Sequence, residues 1–204
     1  MTKTLLINCF LDKTQIKSLR DTIAKFSAYT EISYEKIQAE FKIDSDIDAV
    51  VISGSEARIV NKEDKSKFEE VTELIKKCNV PILAICFGHQ LLCSAFGAKT
   101  GSLPEPVIDR FEQVRILQKC GLFEGFAEGQ AVPLFQYHND YVQKEGLEEA
   151  EFMLLADSAT CEVEAVKHKT KPFYGCQFHP EDIQTTTETH PEGHKVIENF
   201  YHTL

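Results

Sequence analysis

The stretch that decides the fold is Val80-Pro81-Ile82-Leu83-Ala84-Ile85-Cys86-Phe87-Gly88-His89-Gln90-Leu91-Leu92-Cys93-Ser94-Ala95-Phe96-Gly97. Pro81 to Ile85 is an apolar run of strand length. From Phe87 to Phe96 apolar residues recur at helical spacing, and Gly97 supplies a C-terminal stop. Cys86 stands at the join. A side chain on a sharp strand-to-helix turn projects out of the sheet, and a thiol at a helix N-terminus feels the positive end of the dipole, which favours the thiolate. Gly88 removes a side chain close to where a substrate would lie. Against this stands the commonest fate of a free cysteine, which is simple burial, and the chain has seven.

A second stretch lifts Cys86 above a buried thiol. Phe173-Tyr174-Gly175-Cys176-Gln177-Phe178 reads as a strand running into His179-Pro180-Glu181. A histidine just past a strand end can act as base toward Cys86. Pro180 stiffens the backbone, and Glu181 can hold the far imidazole nitrogen, a nucleophile–base–orienter set. The tripeptide recurs at His190-Pro191-Glu192, after the polar run Thr185 to Thr189 rather than an apolar strand. That second copy reads as the entry to a final helix over Lys195 to Tyr201.

Ile85-Cys86-Phe87-Gly88-His89-Gln90 and Gln177-Phe178-His179-Pro180-Glu181 resemble the two signatures of the class I glutamine amidotransferases, and the likeness runs from Val50 to Phe200. The resemblance implies a flavodoxin-like, Rossmann-like α/β fold with a central, mainly parallel sheet and helices on both faces, here as one glutaminase domain over 1–204. It implies a triad of Cys86, His179 and Glu181 at the carboxyl edge of the sheet. The Ser53-Gly54-Ser55-Glu56 loop, after a predicted strand Ile47 to Ile52, stands where many members read Ser-Gly-Gly-Pro and some Ser-Gly-Ser-Pro. Backbone N–H groups of Ser55 and Phe87, with Gly54, would form the oxyanion hole. Glu56 replaces the usual proline, and Ala84 replaces a glycine two residues before the nucleophile. Gln90 and Gly88 would face the glutamine. Tyr137-His138-Asn139-Asp140 sits where members similar to GMP synthetase read Ser-His-x-Asp, a segment that contacts bound glutamine, although His138 and Asp140 capping a loop is an equal reading. Cys161 to His168 resembles the Cys-x-Val-Glu-Ala-x-x-His stretch of the same branch, and its expected role is a hairpin partner for Phe173 to Phe178.

The rest of the chain bounds the chemistry. With 204 residues, 43% hydrophobic and 26% charged, it suits a single globular core. A net charge of −10 argues against nucleic-acid binding. No apolar run approaches the roughly 20 residues of a membrane span, and Met1 to Ile7 is too short for a signal peptide. The odd cysteine count without a C-x-x-C points to reduced thiols and a cytoplasmic setting. Cys86, His89 and Cys93 share a helical face, but one helix supplies too few ligands for a closed zinc site, so no metal is expected. Neither a Walker loop nor a dinucleotide glycine fingerprint occurs, so no cofactor is expected in this chain. Ammonia released here would need an acceptor. The expected partner is a separate ATP-dependent synthetase subunit, holding the ATP and Mg²⁺, with a GMP synthetase-like system as first choice. A freestanding γ-glutamyl hydrolase or peptidase using the same triad is the alternative, and a non-catalytic regulatory protein on this fold is the second.

Periodicity predicts helices over Asp12 to Ala28 (Ile16, Leu19, Ile23 and Phe26 inward) and Lys62 to Lys77 (Phe68, Val71, Leu74 and Ile75 inward). It predicts strands over Thr4 to Cys9, Thr30 to Tyr34, Phe111 to Leu117 and Gln130 to Tyr137, and a loop over Lys99 to Pro106.

Overall fold

A computed structural model describes residues 2–204; Met1, the first residue of the expected 1–204 domain, lies outside the described residues. The strands are β1 (Lys3–Asn8), β2 (Ala28–Ser33), β3 (Ala49–Ile52), β4 (Ile82–Ile85), β5 (Thr100–Ile116), β6 (Ala131–Val142), β7 (Phe152–Asp157), β8 (Ala165–His168) and β9 (Phe173–Cys176). The helices are α1 (Lys17–Ile23), α2 (Lys62–Ser66), α3 (Glu69–Lys77), α4 (Phe87–Ala95) and α5 (Glu192–His202). The strands form one sheet in the order β2-β1-β3-β4-β9-β8-β7-β5-β6. The five strands from β2 to β9 are parallel, and the remainder continue the sheet antiparallel.

The short central strands are buried on both faces, which is why they read as continuous apolar runs. Alternate residues still part company. Val50, Ile52, Ile82 and Ala84 meet α3 and α4 on one side. Val51, Leu83 and Ile85 meet α1 and α5 on the other. Both faces are therefore covered, and the carboxyl ends of β3, β4 and β9 open on a common edge, where α/β sheets bind ligands.

Four expectations need correction. The helix over Asp12 to Ala28 is a 3₁₀ turn, Lys13–Ile16, followed by α1, and Ala28 already starts β2; the stripe Ile16, Leu19 and Ile23 is buried as the spacing required. The helix over Lys62 to Lys77 breaks at Lys67 and Phe68, where Phe68 plunges inward against Tyr34 and Phe87, with ring centroids 4.3 and 4.7 Å away. Lys99 to Pro106 is not a loop but lies within β5 from Thr100 on. Pro104 and Pro106 sit in the register shift between Ser102 and Val107, where no ladder hydrogen bond is needed from them. Of the alternating stretch Cys161 to His168, only Ala165–His168 is strand, and it is the antiparallel partner of β9.

The turn before β8 buries Glu164 completely. Gln136 Nε2 donates to both its carboxylate oxygens, at 2.9 and 3.0 Å, and Ser158 Oγ donates at 2.7 Å. Burial dominates, pushing the carboxyl up from 4.5 to about 7. The folded chain thus holds a proton that the unfolded chain releases between these values. The associated stability is fully present below pH 4.5 and is lost as pH rises through 7. Glu164→Gln, which carries no charge to bury, is expected to melt above the parent at pH 8 by an amount worth up to roughly 3 kcal/mol. The gap should close at pH 4.5. Equal gaps at both pH values would sink this account.

Candidate active site

Cys86 joins β4 to α4 with φ 51° and ψ −109°, a conformation that non-glycine residues avoid. Its N–H donates to the Cys176 carbonyl at 2.7 Å, so the turn is pinned to β9. Helix α4 starts without a side-chain cap, which leaves its first N–H groups without a capping partner, and Phe87 lines the cavity beside Cys86. Gly88, expected beside the substrate, faces elsewhere. A Cβ there would lie 2.7 Å from the Ile52 carbonyl oxygen and 2.9 Å from that of Ser53. Its role is to let α4 abut the end of β3.

β9 is the parallel neighbour of β4, with Ile85 opposite Cys176. Three residues beyond that pair, the His179 N–H donates to the Phe135 carbonyl of β6 at 2.8 Å. Its Nδ1 lies 3.0 Å from Glu181 Oε1, and both side chains are buried. Burial alone would lower the His179 pKa. The charges of Cys86 and Glu181 outweigh it and hold the imidazole well above the ordinary histidine range. Gly54 backs the pair: a Cβ there would stand 3.0 Å from His179 Cε1 and 3.5 Å from Cys86 Cβ. The structure therefore brings Cys86, His179, Glu181, Gly54, Ser55 and Phe87 together. His190 of the second tripeptide lies apart, against Phe111 and Glu188, and Pro191 and Glu192 open α5.

Two cavities meet at this edge. One, of about 40 Å³, is lined by Cys86, Phe87, Gln90, Arg58 and the Tyr137-to-Asp140 segment. The other, of about 220 Å³, is lined by His179, Glu181, Phe10 and Phe135. Ser55, Glu56 and Tyr137 border both. The Cys86-side space by itself is far below the roughly 150 Å³ that holds a benzene. A further cavity, about 510 Å³, lies before β3 and β4 at the opposite edge of the sheet.

The segment expected to contact glutamine is largely engaged already. The Asp140 carboxylate pairs with Arg58 and accepts from Ser102 Oγ at 3.0 Å. The Asp140 backbone carbonyl accepts from Gln90 Nε2 at 2.7 Å. His138 Nδ1 lies 3.1 Å from that same carbonyl, and burial pulls the ring down to about 4, keeping it neutral. Asn139 lines the smaller cavity, and Tyr137 is half-exposed over it. Arg58 was not legible as a site residue, because nothing in its local sequence announces a partner on β6.

The metal-capable trio of α4 does not assemble. His89 Nδ1 is 3.7 Å from Cys93 Sγ, and the ring packs so tightly on β9 that a Cβ on Gly175 would stand 2.4 Å from it. Burial holds His89 neutral, down to about 3. Among the described residues the one group spaced for a metal is His179, Glu181 and Asp182, whose first two members are the histidine–carboxylate pair itself.

The family model "Glutamine amidotransferase class-I" matches residues 6–203. The chain belongs to the class I glutamine amidotransferases. A glutamine-hydrolysing GMP synthase subunit of Methanothermobacter thermautotrophicus is 43% identical to this amidotransferase over 129 residues, 63% of each chain. The protein of the same name from Methanocaldococcus jannaschii is 32% identical over 163 residues, 79% of this chain and 76% of the relative. The match thus spans less than two thirds of the length of the first of these. A crystal structure of a putative GMP synthase subunit from Thermoplasma acidophilum superposes with a TM-score of 0.82 at 27% identity, covering 99% of this chain and 93% of the other.

Within this amidotransferase the departures from the family pattern are absorbed. Glu56 points away from the oxyanion position. Its carboxylate accepts from the N–H groups of Leu11 (2.8 Å) and Asp12 (3.1 Å) and from Gln15 Nε2 (2.8 Å), so the loop is tethered to the segment after β1 by hydrogen bonds instead of stiffened by a proline. The Ala84 methyl is fully buried on the face of the sheet that α3 and α4 cover. Among the described residues no helix is long and apolar enough to cross a membrane.

Proposed function

We propose that the chain is the glutaminase subunit of a two-subunit GMP synthase, hydrolysing the glutamine side-chain amide and passing ammonia to a synthetase subunit. The observation that carries this reading is the placement of Cys86 at the strained end of β4 beside the His179–Glu181 pair at the end of β9. In this scheme the Cys86 thiolate attacks the amide carbon. Phe87 and Ser55 N–H groups, supported by Gly54, receive the oxyanion, where one donor is worth about 3 kcal/mol. The His179 imidazolium, oriented by Glu181, gives its proton to the leaving ammonia. A water activated by the now neutral His179 then releases glutamate from the γ-glutamyl thioester. Gln90, Tyr137, His138, Asn139 and Asp140 form the wall that would receive the glutamine. The unit 1–204 acts as one domain that works without a cofactor of its own, ATP and Mg²⁺ belonging to the partner.

The narrowness of the Cys86-side cavity supports dependence on that partner. Low glutaminase activity is expected from the chain alone, rising at least tenfold when a GMP-forming synthetase partner, ATP, Mg²⁺ and the nucleotide substrate are added, with GMP as product. The His179-side cavity of about 220 Å³ favours a second reading, a γ-glutamyl hydrolase whose leaving amine is larger than ammonia. Unaided cleavage of γ-glutamyl peptides with no action on glutamine would replace the first reading by the second.

A further inference from the structure

The sulfur of Cys86 has two polar neighbours besides His179. It lies 3.6 Å from the Tyr137 carbonyl, which can only accept, and 3.7 Å from Gln177 Nε2. Gln177 is wholly buried on the strand end between Cys176 and His179. Which face of its amide meets the sulfur follows from its neighbours. The Asp140 carbonyl can only accept, so it takes a proton from Gln90 Nε2, at 2.7 Å. The same nitrogen lies 3.0 Å from Gln177 Oε1 and donates its second proton there. Gln177 therefore has its oxygen committed to Gln90 and must turn its NH₂ group to Cys86; the opposite orientation would set two NH₂ groups against each other. The relay has one direction, from the Cys86 sulfur back to the Asp140 backbone.

We propose that Gln177 is a further catalytic residue, a fixed N–H donor that holds Cys86 as the thiolate, with Gln90 as the positioning residue that orients it. This rests on the reading of Cys86 as nucleophile. A thiol can satisfy the Tyr137 carbonyl with its S–H. A thiolate cannot, and gains instead from a buried donor, since a hydrogen bond to a charged group is stronger than one between neutral groups. The proton leaves to His179. Gln90, with both its protons spent, can present only its oxygen to a substrate.

The test is the pH profile of Cys86 alkylation by iodoacetamide, followed by mass spectrometry to separate Cys86 from the other six thiols, with Cys86→Ala as the blank. The titratable and charged groups facing Cys86 are His179 and Glu181 beyond β9, Cys176 on β9, His138 and Asp140 on β6, and Arg58 beyond β3, while the carboxylate of neighbouring Glu56 is turned to the segment after β1. All are unchanged in the variants. Gln177→Met removes the donor at similar volume, and its profile is expected to move up by about one pH unit, with alkylation about tenfold slower at pH 7. Gln177→Glu still accepts from Gln90 but turns an oxygen to the sulfur, and should move further the same way. Gln90→Met should give a smaller shift in the same direction. Wild-type profiles in Gln177→Met and Gln177→Glu would overturn the proposal; if the first variant does not fold, the second and Gln90→Met decide alone. Glutamine hydrolysis by the parent chain with its synthetase is measured in parallel. A shifted alkylation profile without glutaminase activity in the parent would retire the amidotransferase function and leave the Gln177 donor standing.

Discussion

Cys86→Ala and Cys86→Gly are both expected to lose glutamine hydrolysis by at least about 10³-fold, because removing the nucleophile of an acyl-transfer site leaves only binding and the oxyanion donors. Their stabilities should differ. At φ 51° and ψ −109° a Cβ strains the backbone, at a cost of about 1–3 kcal/mol. Alanine retains that strain and glycine releases it. The glycine variant is therefore expected to melt above the alanine variant by about 2–6 °C, allowing for glycine's greater entropy in the unfolded chain. A thermal melt of both variants beside a glutaminase assay checks the two halves separately. An alanine variant as stable as the glycine variant would mean that the turn is relaxed and that Cys86 is not held under tension for reaction. Retained hydrolysis in either variant would remove Cys86 from the proposed mechanism.

Gly88→Ala is expected to damage both stability and the site. The added carbon would stand 2.7 Å from the Ile52 carbonyl oxygen, 2.9 Å from Ile52 Cγ2 and 2.9 Å from the Ser53 carbonyl oxygen. Two of the three neighbours are backbone atoms of β3 and its following loop and cannot rotate away. Helix α4 must shift, and with it Cys86 and the Phe87 N–H. A stability loss of about 2–4 kcal/mol is expected, together with loss of hydrolysis in whatever fraction stays folded. Gly97→Ala is the comparison. That position has φ 96° but open space around it, so the change strains the helix end without moving the site. Urea unfolding and glutaminase rates of the two variants separate the effects. If Gly88→Ala lost stability but kept its rate per folded molecule, α4 would have moved without carrying the nucleophile along.

Much of this site was legible along the chain because its parts are local. A short apolar run, a cysteine and a helical pattern are contiguous, and so are an apolar strand and His-Pro-Glu. Telling the two His-Pro-Glu copies apart needed only what precedes each. The residues that were not legible are those whose partners are remote. Arg58 acquires its place from Asp140 on β6, and Glu56 from backbone N–H groups beyond β1. Gln177 stands inside the strand-to-His179 motif, yet its use depends on Gln90 lying on the neighbouring helix. Gly88 was assigned to the substrate because its sequence position adjoins Cys86, whereas the direction of its missing side chain is set by the approach of α4 to β3.

By itself the sequence determined the order of strand, cysteine and helix, the strand leading to His179, and the burial stripes, since periodicity and turn chemistry act over a few residues. Only the tertiary structure decided that β4 and β9 are neighbours, that Asp140 is spoken for by Arg58, that the side-chain amide nitrogen of Gln177 meets the sulfur, and that the cavity beside Cys86 is small. Those are outcomes of packing between segments distant in the chain, where a contact depends on register, helix approach and hydrogen-bond direction together.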